Sequence, residues 1–187
     1  MKHDPHIHHR KSIRLKGYDY SQAGSYFVTI CTKAKAEFLG EVHNGEIILS
    51  PSGVIARLYW EALTTHFPDI ILDEFVVMPN HVHGIVVIAD DVHRERRGVQ
   101  LNAPTPQFFS SSGGSLPVIV RTYKAAVTTW CRKNGYDEFA WQRNYYEHII
   151  KGERDLNAIR KYIAENPANW FADEENRLSP DRAIVKR

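Results

Sequence analysis

At 187 residues, 43% hydrophobic and 25% charged, the chain has the size and composition of one globular domain with a substantial core. No apolar run approaches the roughly 18–20 residues of a membrane span, and no apolar stretch follows the basic N-terminus as it would in a secretory signal. Cys31 and Cys131, the two cysteines, make no disulfide framework and match a reducing interior. Membrane, secreted-scaffold and disordered classes are thereby excluded, and the expected location is cytoplasmic.

The net charge of +2 is unevenly spread. Lys2, Arg10, Lys11, Arg14 and Lys16 face only Asp4 in residues 1–16, while the rest of the chain sums to −2. His3, His6, His8 and His9 lie in the same stretch. Residues 1–16 therefore read as a basic, His-rich arm, either a nucleic-acid device or a solubilising tail.

Ser25–Thr32, aromatic and β-branched, predicts a strand. Asn44-Gly45 between alternating flanks in 38–49 predicts a two-residue hairpin. Helical spacing over Ser52–Phe67 places Ile55, Leu58, Tyr59, Ala62 and His66 on one face, with Pro68 ending the helix. Two β-rich runs within 72–88 flank Pro79-Asn80 and predict a second hairpin. Residues 89–114 lose periodicity and read as a mobile loop. Leu116–Lys133 predicts a helix with Ile119, Tyr123, Val127 and Trp130 inward and Arg121, Lys124 and Thr128 outward. Trp141–Ile150 returns to a strand pattern. A last helix is expected over Asp155–Glu165, with Asp155 as N-cap and Pro167 beyond its end.

This order predicts an α+β, ferredoxin-like sandwich with a central antiparallel sheet and helices packed on one face. The expected divisions are the arm at 1–16, a domain at 17–172 and a charged tail at 173–187.

His81 and His83 stand two apart on a predicted strand, so both imidazoles project from one face. Such a pair can bind a metal ion, or can simply occupy a sheet face and bond to neighbouring carbonyls. On the last helix Tyr162 and Asn166 are four apart and share a face. Leu156, Ile159 and Ile163 would pack that helix against the sheet. An Asn amide oxygen beside two histidines suits Mg²⁺ or Mn²⁺ better than structural Zn²⁺. Tyr162 beside it would be a nucleophile for phosphorus, although the helix alone reads better as carrying an ordinary half-buried aromatic.

Several segments together resemble the REP-associated tyrosine transposases, insertion-sequence-200-like single-tyrosine members of the HUH superfamily. They are His9–Tyr20, Tyr26–Thr32, Phe75–Gly84 with its Pro-Asn-His-Val-His run, Trp141–Ile150, and Tyr162-Ile-Ala-Glu-Asn-Pro167. The resemblance implies that His81 and His83 bind a divalent cation, that Tyr162 is the nucleophile, and that Asn166, where relatives often carry Gln, adds a ligand. It implies a nucleoid-associated enzyme of DNA transposition and recombination. Such an enzyme cleaves single-stranded or hairpin DNA at palindromic REP elements through a 5′-phosphotyrosine intermediate.

Arg10, Lys11, Arg14, Lys16, Arg121, Lys124 and Arg143 are the candidate backbone contacts. A homodimer is compatible with the family. Tyr145 and Tyr146 are rival nucleophiles ranked behind Tyr162, and His148 reads either as near the site or as a satisfied core histidine. Two other classes remain: a hairpin-binding protein with a structural metal site that does not cut, and a metal-dependent hydrolase that would not need Tyr162.

Overall fold

A computed structural model describes residues 18–89, 114–173, 175 and 176. The basic arm at 1–16, the loop between 89 and 114, and most of the tail lie outside them. The β-branched runs form strands β1 (Gly24–Cys31), β4 (Ile70–Met78), β5 (His81–Ile88) and β6 (Tyr146–Ile150). They make one antiparallel sheet in the order β4-β5-β1-β6. Between β1 and β4 come β2 (Gly40–His43), β3 (Glu46–Leu49), α1 (Pro51–Glu61) and α2 (Leu63–His66). Helix α3 (Leu116–Lys133) joins β5 to β6, and α4 (Gly152–Glu165) follows β6. The order of the four sheet strands and the two crossovers, one carrying α1 and the other α3, make the ferredoxin-like arrangement that the sequence predicts.

The β2–β3 turn is built as its residues require. Asn44 and Gly45 both take positive φ, 52° and 81°, the conformation of a type I′ hairpin turn. Ser50 caps α1, accepting from the Gly53 backbone N–H at 3.1 Å, and Pro51 opens the helix where its missing N–H costs nothing.

Helices α1 and α3 cover one face of the sheet, but α4 covers the other. The first core joins Tyr26, Val28, Ile30, Val82 and Val86 to Trp60, Ile119, Tyr123 and Val127. The second joins Phe27 and Ile85 to Ile163, with Leu156 and Ile159 packed against them. The expectation of helices on one face is corrected by this third helix. The cause lies in the central strands: β1 and β5 also carry apolar side chains, Phe27 and Ile85, on the second face, and these too must be withdrawn from water.

Smaller corrections follow from the same packing. The buried stripe of the first helical segment is Ala56, Trp60 and Leu63, whereas Leu58 is 48% exposed. The sheet sits under Trp60, which rotates the helix away from the face that periodicity selects. Helix α4 starts three residues before Asp155, so Asp155 is not its N-cap. Its carboxylate instead reaches back to the Lys151 N–H and to His148 Nε2, at 2.8 and 2.9 Å. Of Trp141–Ile150 only the last five residues are strand, and Trp141 makes an isolated bridge to Thr32.

Gly84 makes a close contact in the first core. A Cβ there would lie 2.3 Å from the Trp60 ring. That ring is fully buried, stacked on Phe75 and set edge-on to Tyr123. Gly84→Ala is therefore expected to destabilise the fold by about 1–3 kcal/mol, measurable as a lower urea midpoint at unchanged m-value.

Candidate metal and nucleophile site

The face of β5 that looks toward α4 carries His81 and His83, both buried, with ring centroids 4.2 Å apart. Asn80, in the turn before them, orients the first ring. Its Nδ2 donates to the backbone carbonyls of Glu175 and Lys35, which turns its Oδ1 toward His81 Nδ1 at 2.8 Å. That nitrogen must then be the donor, leaving the lone pair on His81 Nε2. His83 is held by Thr29 Oγ1, 2.9 Å from its Nδ1, and its Nε2 meets the Tyr162 hydroxyl at 3.2 Å. Burial holds both imidazoles in the neutral form: His81 is pushed well below the usual histidine range, and His83 down to about 3.

Tyr162 arrives from α4. Its ring packs edge-on to Phe27 at 6.1 Å and remains 46% exposed. Asn166, one turn on at the C-cap, is buried and donates through Nδ2 to Asp173 Oδ2 at 2.6 Å. This bond fixes the amide orientation and leaves Oδ1 as the free end. His81 Nε2 and Asn166 Oδ1, whose side chains face one another, are both buried with no hydrogen-bond partner among the described residues.

Asp173 is the member that sequence reasoning missed, because it falls in the expected tail. After α4 a 3-10 turn at Trp170–Ala172 folds the chain back. It buries Trp170 against His81 and places an Asp173 carboxylate oxygen within 4.8 Å of ligand atoms of both histidines. Glu175 continues the return, pairing with Lys35 at 2.7 Å and accepting from the Cys31 thiol at 3.2 Å. Burial, then the Glu175 carboxylate, pushes that thiol up to about 12. Burial opposes ionisation of Glu175 itself, but the Lys35 and Cys31 hydrogen bonds outweigh it and leave its carboxyl below the usual range. The only signals in the sequence were Pro167 and Trp170, an aromatic at the edge of a charged stretch.

The histidines, Tyr162, Asn166 and Asp173 thus meet, and all but His81 line a cavity of about 840 Å³. Two buried imidazole lone pairs, an amide oxygen and a carboxylate form a mixed N/O donor set, and the two unpartnered atoms are what a bound divalent cation would satisfy. The residues present fit such an ion.

Other candidates lie elsewhere. Tyr145 and Tyr146 both line the cavity, Tyr145 buried with the first core and Tyr146 46% exposed. His148 is tied to Asp155 at the start of α4. Arg121 and Arg143 are exposed, and neither lines the cavity. The Lys124 ammonium is held by the carbonyls of Gln142 and Arg143 at 2.5 and 3.3 Å. Arg10, Lys11, Arg14 and Lys16 lie outside the described residues.

The tyrosine helix is also clamped to the sheet edge. At a register shift in β4, Asp73 receives two bonds from Arg160, Nε at 2.8 Å and Nη2 at 2.6 Å. These bonds hold the Asp73 carboxyl below its ordinary range. A depressed carboxylate contributes stability above its unfolded pKa of about 3.9 and loses it as pH falls through the folded value. Asp73→Asn is expected to cost on the order of 1 kcal/mol at pH 7, since both groups are partly exposed. The difference from the native chain should vanish in thermal melts taken well below pH 4.

No known family profile matches the chain. An uncharacterised protein of Haemophilus influenzae strain Rd is 43% identical over 175 residues, covering 92% of this chain and 96% of that one. The chain belongs to that protein's family. Among solved structures the chain is similar in fold to a REP-associated tyrosine transposase bound to a REP hairpin. It superposes with a TM-score of 0.54 at 20% identity over 84% of this chain and 73% of the other. At that identity the likeness establishes a shared transposase fold, in agreement with the four-stranded antiparallel sheet. No described helix is long and apolar enough to cross a membrane.

Proposed function

We propose that the protein is a metal-dependent single-strand DNA endonuclease and strand transferase acting at hairpin or palindromic repeats, with Tyr162 as its nucleophile. The observation that carries this reading is Tyr162, half-exposed in a cavity with its hydroxyl 3.2 Å from a buried neutral His83. The fold shared with a hairpin-bound tyrosine transposase supports the substrate class.

His81, His83, Asn166 and Asp173 would hold Mg²⁺ or Mn²⁺, which supplies charge stabilisation for a phosphodiester oxygen. The cavity wall argues for such an ion, because Glu165, Asp173 and Glu175 line it while Lys35 is its single described lysine or arginine. A phosphate could not approach three carboxylates without compensating charge.

Tyr162 supplies the oxygen that bonds to phosphorus, as the bond from phosphorus to the 3′-oxygen breaks. The phenolic proton is released and the departing 3′-oxygen gains one. The products are a 5′-phosphotyrosine and a free 3′-hydroxyl. A second 3′-hydroxyl attacking the tyrosyl ester reverses these bond changes and joins strands without ATP. The open cavity gives single-stranded DNA, or DNA beside a hairpin, access to the phenol. Arg10, Lys11, Arg14 and Lys16, with Arg121 and Arg143, are the proposed sources of backbone charge. Lys124 contributes less because its ammonium is already bonded within the chain.

The test is a covalent-adduct assay: protein, 3′-labelled hairpin oligonucleotides from repeats flanking its gene, and Mn²⁺ or Mg²⁺. A protein–DNA band stable to SDS is expected. Tight hairpin binding without adduct or nicking in either metal would favour a non-cleaving hairpin-binding protein.

A further inference from the structure

The cavity holds a second half-exposed aromatic side chain that the proposed chemistry does not use. Tyr146 opens β6 and pairs in register with Thr29, the residue bonded to His83 Nδ1. Directly paired residues project from the same face, so Tyr146 stands on the histidine side of the sheet. Its ring meets Phe27 edge-on at 6.5 Å, and Phe27 meets Tyr162 in the same way at 6.1 Å. The three rings form a row in which Phe27 is 7% exposed and each tyrosine 46%. Phe27 therefore serves the core, while the outer rings present apolar surface to the cavity.

The surroundings of Tyr146 are those of a base, not of a backbone. Gln142, Asn144 and Asn169 line the same cavity and carry the paired donors and acceptors that read base edges. Its one described lysine or arginine, Lys35, is paired with Glu175. A cavity of about 840 Å³ also exceeds what a phosphate alone requires.

We propose that Tyr146 is a stacking platform for the nucleobase next to the scissile phosphate, with Gln142 and Asn144 at the base edge. Tyr162 thereby handles the phosphate and Tyr146 the base, which separates the roles of two tyrosines in one aromatic row. This assignment rests on the DNA reading above.

The experiment measures affinity for short single-stranded DNA in the Tyr162→Phe background, which cannot cut, with Tyr146 as Tyr, Phe, Trp or Ala. Tyr146→Ala should weaken binding roughly five- to hundredfold, the range for one lost base–aromatic stack, and Phe or Trp should preserve it. Once adduct mapping has located the cut, an abasic nucleotide beside it should weaken binding similarly. Loss of both ring and base should then cost little more than loss of either. Unchanged affinity in Tyr146→Ala, with adduct still formed by the native protein, overturns the platform alone. A native protein that forms no adduct, yet loses affinity on Tyr146→Ala, overturns the cleavage reading alone. No binding to single-stranded DNA at all overturns the platform with it.

Discussion

Replacing Tyr162 with phenylalanine is expected to abolish the SDS-stable DNA adduct while leaving affinity for hairpin DNA within about twofold. The substitution removes one oxygen from a ring that is 46% exposed and packed edge-on to Phe27. The ring contacts survive, so the fold should not respond. What disappears is the atom 3.2 Å from His83 Nε2 that would bond to phosphorus. Tyr146 is the alternative nucleophile in the cavity, and its ring stands beyond Phe27 from Tyr162. An adduct that persists in Tyr162→Phe and is lost in Tyr146→Phe would transfer the role. Nicking that persists without any adduct would instead indicate a hydrolase using water.

The second large effect is expected at Asp173. Asp173→Ala should lower Mn²⁺ affinity, measured by calorimetry or electron paramagnetic resonance without DNA, by about 10- to 100-fold. Two causes act together. The carboxylate lies within 4.8 Å of the histidine ligand atoms, so its negative charge attracts a cation directly. It also accepts from Asn166 Nδ2 at 2.6 Å, and without that bond the amide can rotate and present N–H₂ to the ion. Asn166→Ala should weaken Mn²⁺ binding too, and the double variant should lose less than the two single losses combined. Unchanged Mn²⁺ affinity in Asp173→Ala would remove Asp173 from the site. His83→Ala serves as the positive control, since it deletes a buried neutral imidazole that has a lone pair to offer.

Much of the site was legible because it depends on local periodicity. Two histidines separated by one residue on a strand must share a face, and a tyrosine and asparagine four apart on a helix must do so as well. The Asn-Gly and Pro-Asn turns, the two strands around His81 and the bounds of the α3 helix were legible for the same reason. Asp173 was not. Nothing in its neighbours marks a ligand, and its place follows from a turn after α4 that returns the chain to β5. Likewise, the burial of Trp60 against Gly84 decided which face of α1 points inward, against an apolar stripe that included the exposed Leu58.

By itself, then, the sequence determined the element types, the antiparallel sandwich and the pairings of His81 with His83 and Tyr162 with Asn166. Tertiary structure alone decided that α4 crosses to the second face of the sheet, bringing those pairs together. It also decided that Asp173 joins them, that Asn80 and Asp173 orient the His81 ring and the Asn166 amide, and that Tyr146 is exposed at the cavity while Tyr145 is buried. The division has a physical reason: facing within one strand or helix is set by fixed rise and twist, whereas meetings between elements depend on which apolar faces remain to be buried once the sheet has formed.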